Sequence, residues 1–291
     1  MNQKIYKYVE LTKPRVTLLN LLVGATCFVL AVFPSINLIK LAVFALAGYL
    51  ACGGCGALNC ALDRNLDRLM QRTSRRAIPS GVVSPRNALL FGSVLVATGI
   101  CLSWLAFNAL TAIMMASGAA FYLLIYTAWL KPRSSLNVII GGTAGCFAAL
   151  SGWTAASNGL SLLPLLISIV DFLWTPGHLW GLAIKKVKEY KTAGIPMLPA
   201  KVGIRKASLI TFLFNSSAIG CCLVLPILGV SGGLYCLILL PTGFWFMLEN
   251  LKLLKSPSEN EGFKVFSASM GYLAILMMGL LADRMFFVRF P

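Results

Sequence analysis

The chain has 291 residues, of which 58% are hydrophobic and only 12% charged, with a formal net charge of +16. So few charges cannot cover that much apolar side chain in water, which excludes an ordinary soluble enzyme and a disordered chain. A transmembrane β-barrel is excluded too, because no strand-length alternation punctuated by turns is present. What remains is a helical membrane bundle, whose backbone groups pair internally.

The first fifteen residues carry Lys4, Lys7, Glu10, Lys13 and Arg15 and read as a cytoplasmic tail; no short apolar core with a small-residue cleavage site follows. A spanning helix needs about 20 apolar residues, and nine such runs follow, at about 16–34, 38–61, 87–107, 109–130, 136–156, 161–184, 206–228, 231–251 and 265–283. With the N-terminus inside, 22 of the 25 basic residues fall on the inner face, leaving Lys40, Arg284 and Arg289 outside. That asymmetry sets the orientation and the helix count together, since one helix more or fewer would scramble it. It also accounts for the charge without nucleic acid, whose binding would need a basic soluble module. The outer connections are short, as at Ser157–Asn158–Gly159. The long inner loops, about 63–86 and 185–205, are where function is expected in a single domain spanning 1–291.

The second span ends in Asn59, Asp63 and Asp67, at i, i+4 and i+8 on one helical face. Acids stacked about 6 Å apart repel one another unless a cation sits among them. Oxygen-only donors favour magnesium, which keeps waters and is completed by substrate phosphates. Arg68, Arg72, Arg75 and Arg76 follow, with guanidinium groups suited to phosphate oxygens, so the pattern reads as a diphosphate site. The plainer alternative is a solvated helix end with Asp63 balanced by Arg64 and Asp67 by Arg68. Against it, Gly48, Cys52 and Gly56 put small side chains upstream on that helix, as close packing or an inward cavity requires.

A second region runs Asp171-Phe172-Leu173-Trp174-Thr175-Pro176-Gly177-His178-Leu179-Trp180 and leads to Lys185, Lys186, Lys188, Glu189 and Lys191. Pro176–Gly177 predicts an interrupted helix. Asp171 and His178, the sole histidine, must point inward. Asp171 is either a hydrogen-bonded structural acid or a functional one, and His178 either a substrate contact or a helix-packing residue. The nine cysteines lie mostly in apolar runs, and the Cys52–Cys55 pair has no second pair or histidine beside it to complete a metal tetrahedron.

These segments resemble the UbiA superfamily of intramembrane prenyltransferases, nine-helix bundles with an Asn-x3-Asp-x3-Asp motif, and within it the branch that transfers farnesyl to haem B to give haem O. The resemblance covers Glu10–Val16, the ladder with Met70, Arg72–Thr73 and Pro79–Gly81, then Asn137–Gly142 and Gly152–Trp153. It continues through Trp174–Pro176, His178, Trp180, Tyr190 and Gly194-Ile195-Pro196-Met197-Leu198-Pro199 to Ser269, Tyr272–Leu273 and Asp283–Arg284. It departs at Gly177, at Ala148–Ala149, and at Lys188–Glu189, where many members have two adjacent acids.

The resemblance implies Mg2+ or Mn2+ as cofactor, held by Asn59, Asp63, Asp67 and Glu189. It implies farnesyl diphosphate and haem B as substrates, with Arg72, Arg76, Lys131 and Lys185 on the diphosphate. His178, Trp174, Trp180 and Tyr126 would contact haem or prenyl chain, and Trp153 would join the rings facing the allylic cation; aromatics of this kind also serve as packing or interface belts. A cell-membrane location follows, with haem A synthase or a haem-copper terminal oxidase as assembly partner. The rival readings are prenylation of a quinone or lipid precursor, a membrane transporter, and a non-catalytic haem-binding assembly factor.

Overall fold

Apolar runs that long satisfy their backbone groups in a bilayer as helices, and the computed structural model, which describes residues 3–286, folds each of them so. Among the described residues, nine helices are long and apolar enough to cross a membrane. They are α2 (Pro14–Val32), α3 (Leu38–Leu62), α5 (Pro85–Ala106), α6 (Ala109–Ala120) with its continuation Phe121–Leu130, α7 (Asn137–Ser157), α8 (Leu162–Lys185), α10 (Leu198–Ile227), α11 (Gly233–Lys255) and α12 (Glu259–Phe286). Short helices α1 (Gln3–Leu11), α4 (Arg64–Leu69) and α9 (Val187–Thr192) lie between or before them. Arg289, counted above on the outer face, lies outside the described residues.

Local sequence sets the helix starts. Asn37, Ser84 and Asn108 each accept a backbone N–H from the first turn of α3, α5 and α6, and Pro85 occupies the first position of α5. Asn158, left-handed at φ 54°, ends α7.

Four features differ from the sequence expectation. The tail is a helix, α1, because Ile5, Tyr8, Val9 and Thr12 recur at helical spacing; Tyr8 packs edge-on against Phe91 at 5.1 Å and Leu11 is buried. The helix expected to break at Pro176–Gly177 does not: α8 runs through both. Proline in a helix interior costs about 3 kcal/mol, and here α8 is packed by α7, α10 and α12, burying Trp174, Pro176, Gly177 and Trp180. Gly177 itself receives the Asn215 side chain of α10 where a Cβ would stand.

The third difference is that the fourth span finishes as a π-helix over Phe121–Leu130. The fourth is that the seventh begins early and bends at Gly203, φ 82° and ψ 164°.

The small residues of α3 serve close packing. Thr12 and the Leu11 carbonyl sit against Gly53 and Gly56, which presses the α1–α2 turn onto the end of α3 that carries the ladder. The two long loops meet at the same end of the bundle. Met70 from the first shares an apolar cluster with Trp180, Tyr190, Ile195 and Met197.

Candidate active site

Asn59, Asp63 and Asp67 stay on one face because the helical hydrogen bonding does not stop at the end of α3. Asp63 N–H donates to the Asn59 carbonyl at 2.8 Å and Asp67 N–H to the Asp63 carbonyl at 2.8 Å, carrying the ladder into α4. The three residues are 3%, 2% and 4% exposed, so the ladder is turned into the protein and is not a solvated helix end. Arg64 does not balance Asp63; it donates to the Ala61 carbonyl at 3.1 Å.

The acids are instead held by cations from remote parts of the chain. Lys131 forms an ion pair with Asp63. Arg76 Nη1 donates to both Asp67 oxygens, at 2.9 and 3.1 Å. Lys13 donates to Asn59 Oδ1 and lies 3.4 Å from the Tyr122 hydroxyl. The other end of the amide, Asn59 Nδ2, donates to Thr127 Oγ1 at 2.9 Å, and Thr127 donates on to the Tyr122 carbonyl at 2.8 Å. That five-residue step fits the wider π turn, which gathers Tyr122, Thr127 and Lys131 beside the ladder.

Three cations against two carboxylates leave a positive surplus. Burial opposes the charge on Arg76 and on Lys131, yet Asp67 and Asp63 beside them outweigh it and raise both pKa values. Lys13 moves the other way: burial lowers its pKa, and the like charges of Arg76 and Lys131 add to the effect. A cluster of this kind suits a multiply charged anion.

Glu189 reaches the ladder loop from the second loop, accepting the Arg72 backbone N–H at 3.3 Å and the Lys186 ammonium at 2.7 Å. Partial burial works to raise its pKa, but those donors prevail and lower it. It is not gathered into a common ligand set with the aspartates, since no three His, Cys, Asp or Glu side chains converge among the described residues. The oxygen donors of Asn59, Asp63 and Asp67, on successive turns, do fit a hard divalent ion.

The remaining expected residues are scattered more widely. Tyr126 stacks on Tyr122 at 5.8 Å and packs against Gly141 of α7, so it joins the ladder through Tyr122. Arg72 has an exposed side chain. Lys185 donates to Asn260 of α12 at 2.9 Å and has no bond to the ladder. Trp174 and His178 stack at 4.3 Å, whereas Trp180 is wholly buried, edge-on to Phe214 at 5.4 Å, with no accessible ring face. Trp153 lies at the opposite end of the bundle, lining a cavity of about 370 Å³ with Ser161, Ser231 and Asp283. It is therefore removed from the ladder. Asp171 is buried with its carboxylate against Gly145 of α7, a packing position inside the bundle.

Sequence reasoning missed Lys13, Tyr122 and Thr127. Lys13 had one local signal, its place before Pro14, which keeps a residue out of the right-handed helix; it adopts φ 49°, a conformation non-glycine residues seldom take. Thr127 and Tyr122 had none, because a plain α-helix would present them differently.

Residues 18–277 match the model of the UbiA prenyltransferase family. The chain is 36% identical over 290 residues to a protoheme IX farnesyltransferase of Paenarthrobacter aurescens, covering 97% of this chain and 90% of that one. Several solved structures share its fold, two of them as follows. A UbiA homologue from Aeropyrum pernix K1 superposes with a TM-score of 0.76 at 19% identity, covering 92% of this chain and 98% of that one. A UbiA homologue from Archaeoglobus fulgidus bound to DMAPP and Mg2+ does so with a TM-score of 0.71 at 17% identity, covering 95% and 99%. With nine helices among the described residues long and apolar enough to cross a membrane, and a family match over most of its length, this chain is a multi-pass membrane protein that belongs to the UbiA prenyltransferase family.

Proposed function

We propose that the chain transfers the farnesyl group of farnesyl diphosphate to a vinyl group of haem B, giving haem O. The observation that carries this reading is the buried oxygen ladder ringed by Lys13, Arg76 and Lys131. The relatives named protoheme IX farnesyltransferase support the choice of substrates, and the Archaeoglobus structure with DMAPP and Mg2+ supports the use of a divalent ion.

Asn59 Oδ1, Asp63 and Asp67 would hold that ion, and Mg2+ bound there supplies charge neutralisation to the diphosphate. Lys131 and Arg76, which now pair with the carboxylates, are long side chains that would turn to phosphate oxygens. The allylic C–O bond breaks and pyrophosphate departs with the electron pair, its growing charge met by Arg76, Lys131 and Lys13, with Arg72 and Lys185 nearer the surface. Cations in a site that excludes water act most strongly at that moment. The stacked Tyr122 and Tyr126 rings beside the ladder would offer the allylic carbon a π face, which favours positive charge. The vinyl terminus attacks, and the cation left beside the porphyrin takes hydroxide from water, which releases a proton. No protein nucleophile is required. Trp174 and His178 form the acceptor side, and Glu189 ties the two loops together instead of holding a second ion alone.

The basic asymmetry supports a site on the cytoplasmic side of the cell membrane. The product suits a haem-copper oxidase, with haem A synthase or the oxidase's assembly machinery as the partner class. The uninterrupted α8 removes the broken helix that would have favoured a transporter.

Mass spectrometry of haem from cells lacking their own enzyme but expressing this chain tests the proposal. It should show haem B gaining a farnesyl and a hydroxyl group, its vinyl having become hydroxyethylfarnesyl. Unchanged haem B, together with prenylation of an aromatic acid by the same membranes, would contradict it.

A further inference from the structure

The sole histidine of the chain is held by contacts that fix more than its position. Its ring lies between two others, Trp174 at 4.3 Å and 14° and Phe266 at 4.5 Å and 27°. A ring clamped on both faces cannot rotate to exchange its nitrogens. Ser269 on α12 completes the clamp. Its carbonyl accepts the Trp174 indole N–H at 2.9 Å, and its Oγ lies 2.7 Å from His178 Nδ1.

The proton count at Ser269 decides the histidine's tautomer. A serine hydroxyl has one proton to donate, and Ser269 gives it to the Phe266 carbonyl at 2.7 Å. Toward His178 it can therefore only accept, so Nδ1 must carry a hydrogen. No carboxylate bonds the ring among the described residues, and a second proton would place an unpaired charge inside the bundle. The ring is then neutral, with its free lone pair on Nε2. No side chain among the described residues bonds Nε2, and the residue is only half-buried.

We propose that Ser269 is a positioning residue that holds His178 as the Nδ1–H tautomer, so that Nε2 ligates the iron of the haem acceptor. Metal-bound histidines commonly donate their other N–H to a fixed oxygen, which sets the tautomer and raises ligand basicity; Ser269 Oγ fills that role here. Ligation would hold the porphyrin at a set distance from α8 and so choose which vinyl edge meets the allylic carbon. This rests on haem B being the acceptor, but the tautomer can be read without haem.

The test uses full-length protein purified through a histidine-free tag and labelled with 15N-histidine, so that His178 gives the only imidazole signals. In wild type the spectrum should show a protonated Nδ1 and an unprotonated Nε2. Ser269→Ala should mix the tautomers, and Ser269→Thr, which keeps the hydroxyl, should restore the wild-type pattern. On adding ferrous haem B, a resonance Raman iron–histidine band should appear in wild type and be absent in His178→Ala. Ser269→Ala should weaken haem binding about tenfold and Ser269→Thr should recover it. An Nε2-protonated ring in wild type overturns the proposal on its own, even should Ser269→Ala fail to fold. So does an iron–histidine band that survives His178→Ala, or unchanged tautomer and affinity in folded Ser269→Ala. If the NMR pattern and the band are both found but no haem O forms, the assigned reaction fails while the ligation stands.

Discussion

Buried aspartates occur at both ends of the bundle, and they are held by different kinds of donor. At one end Asp63 and Asp67 are paired with Lys131 and Arg76, side chains on long stems. At the other, Asp283 accepts the backbone N–H groups of Gly232 at 2.6 Å and Tyr235 at 2.9 Å, capping the start of α11. Backbone donors are part of the fold and cannot leave, whereas an ammonium or guanidinium can swing to a new anion. A buried acid satisfied by the backbone is architecture; one satisfied by flexible cations is ready to exchange them for a ligand.

The largest expected effect comes from the ladder. Asp63→Asn and Asp67→Asn should each lower kcat/KM for farnesyl transfer at least about a thousandfold, about 4 kcal/mol, in protein that still inserts and elutes as wild type. Asp283→Asn should do the reverse, lowering stability by about 2 kcal/mol in a thermal or denaturant series while the folded fraction turns over normally. If both ends responded alike, the distinction between exchangeable and fixed donors would be lost.

A subtler contrast lies within the ladder. Lys131→Met removes the cation that occupies Asp63, so the substrate-free protein should bind Mn2+ about tenfold more tightly, while losing a phosphate partner should slow transfer about tenfold or more. Looser Mn2+ binding in that variant would show Lys131 to be a structural partner of Asp63 only. The smallest effect is expected at Lys185, whose ammonium is engaged with Asn260; Lys185→Ala should change kcat/KM less than about threefold, with its surface setting as the reason.

The spans and the ladder could be read from sequence because both are one-helix properties: apolar length gives the first, and a four-residue step gives the second. What depends on a neighbouring helix could not. Trp174 and Trp180 are equivalent in composition, but six residues turn a helix to another side, so one stacks on His178 and the other is sealed against Phe214. Lys13 looked like one of several tail charges, and only the packing of Thr12 against Gly53 and Gly56 brings it over Asn59. Pro176–Gly177 looked like a break because local propensity was weighed without Asn215, which needs that glycine for its own close approach.

The central claim is that Asn59, Asp63 and Asp67 hold a divalent ion through which diphosphate is bound, and Mn2+ EPR during a titration with farnesyl diphosphate tests it directly. The account predicts that wild-type protein takes up Mn2+ together with the diphosphate, and that the Asp63→Asn/Asp67→Asn double variant takes up neither. Equal uptake of ion and diphosphate by the folded double variant would contradict it.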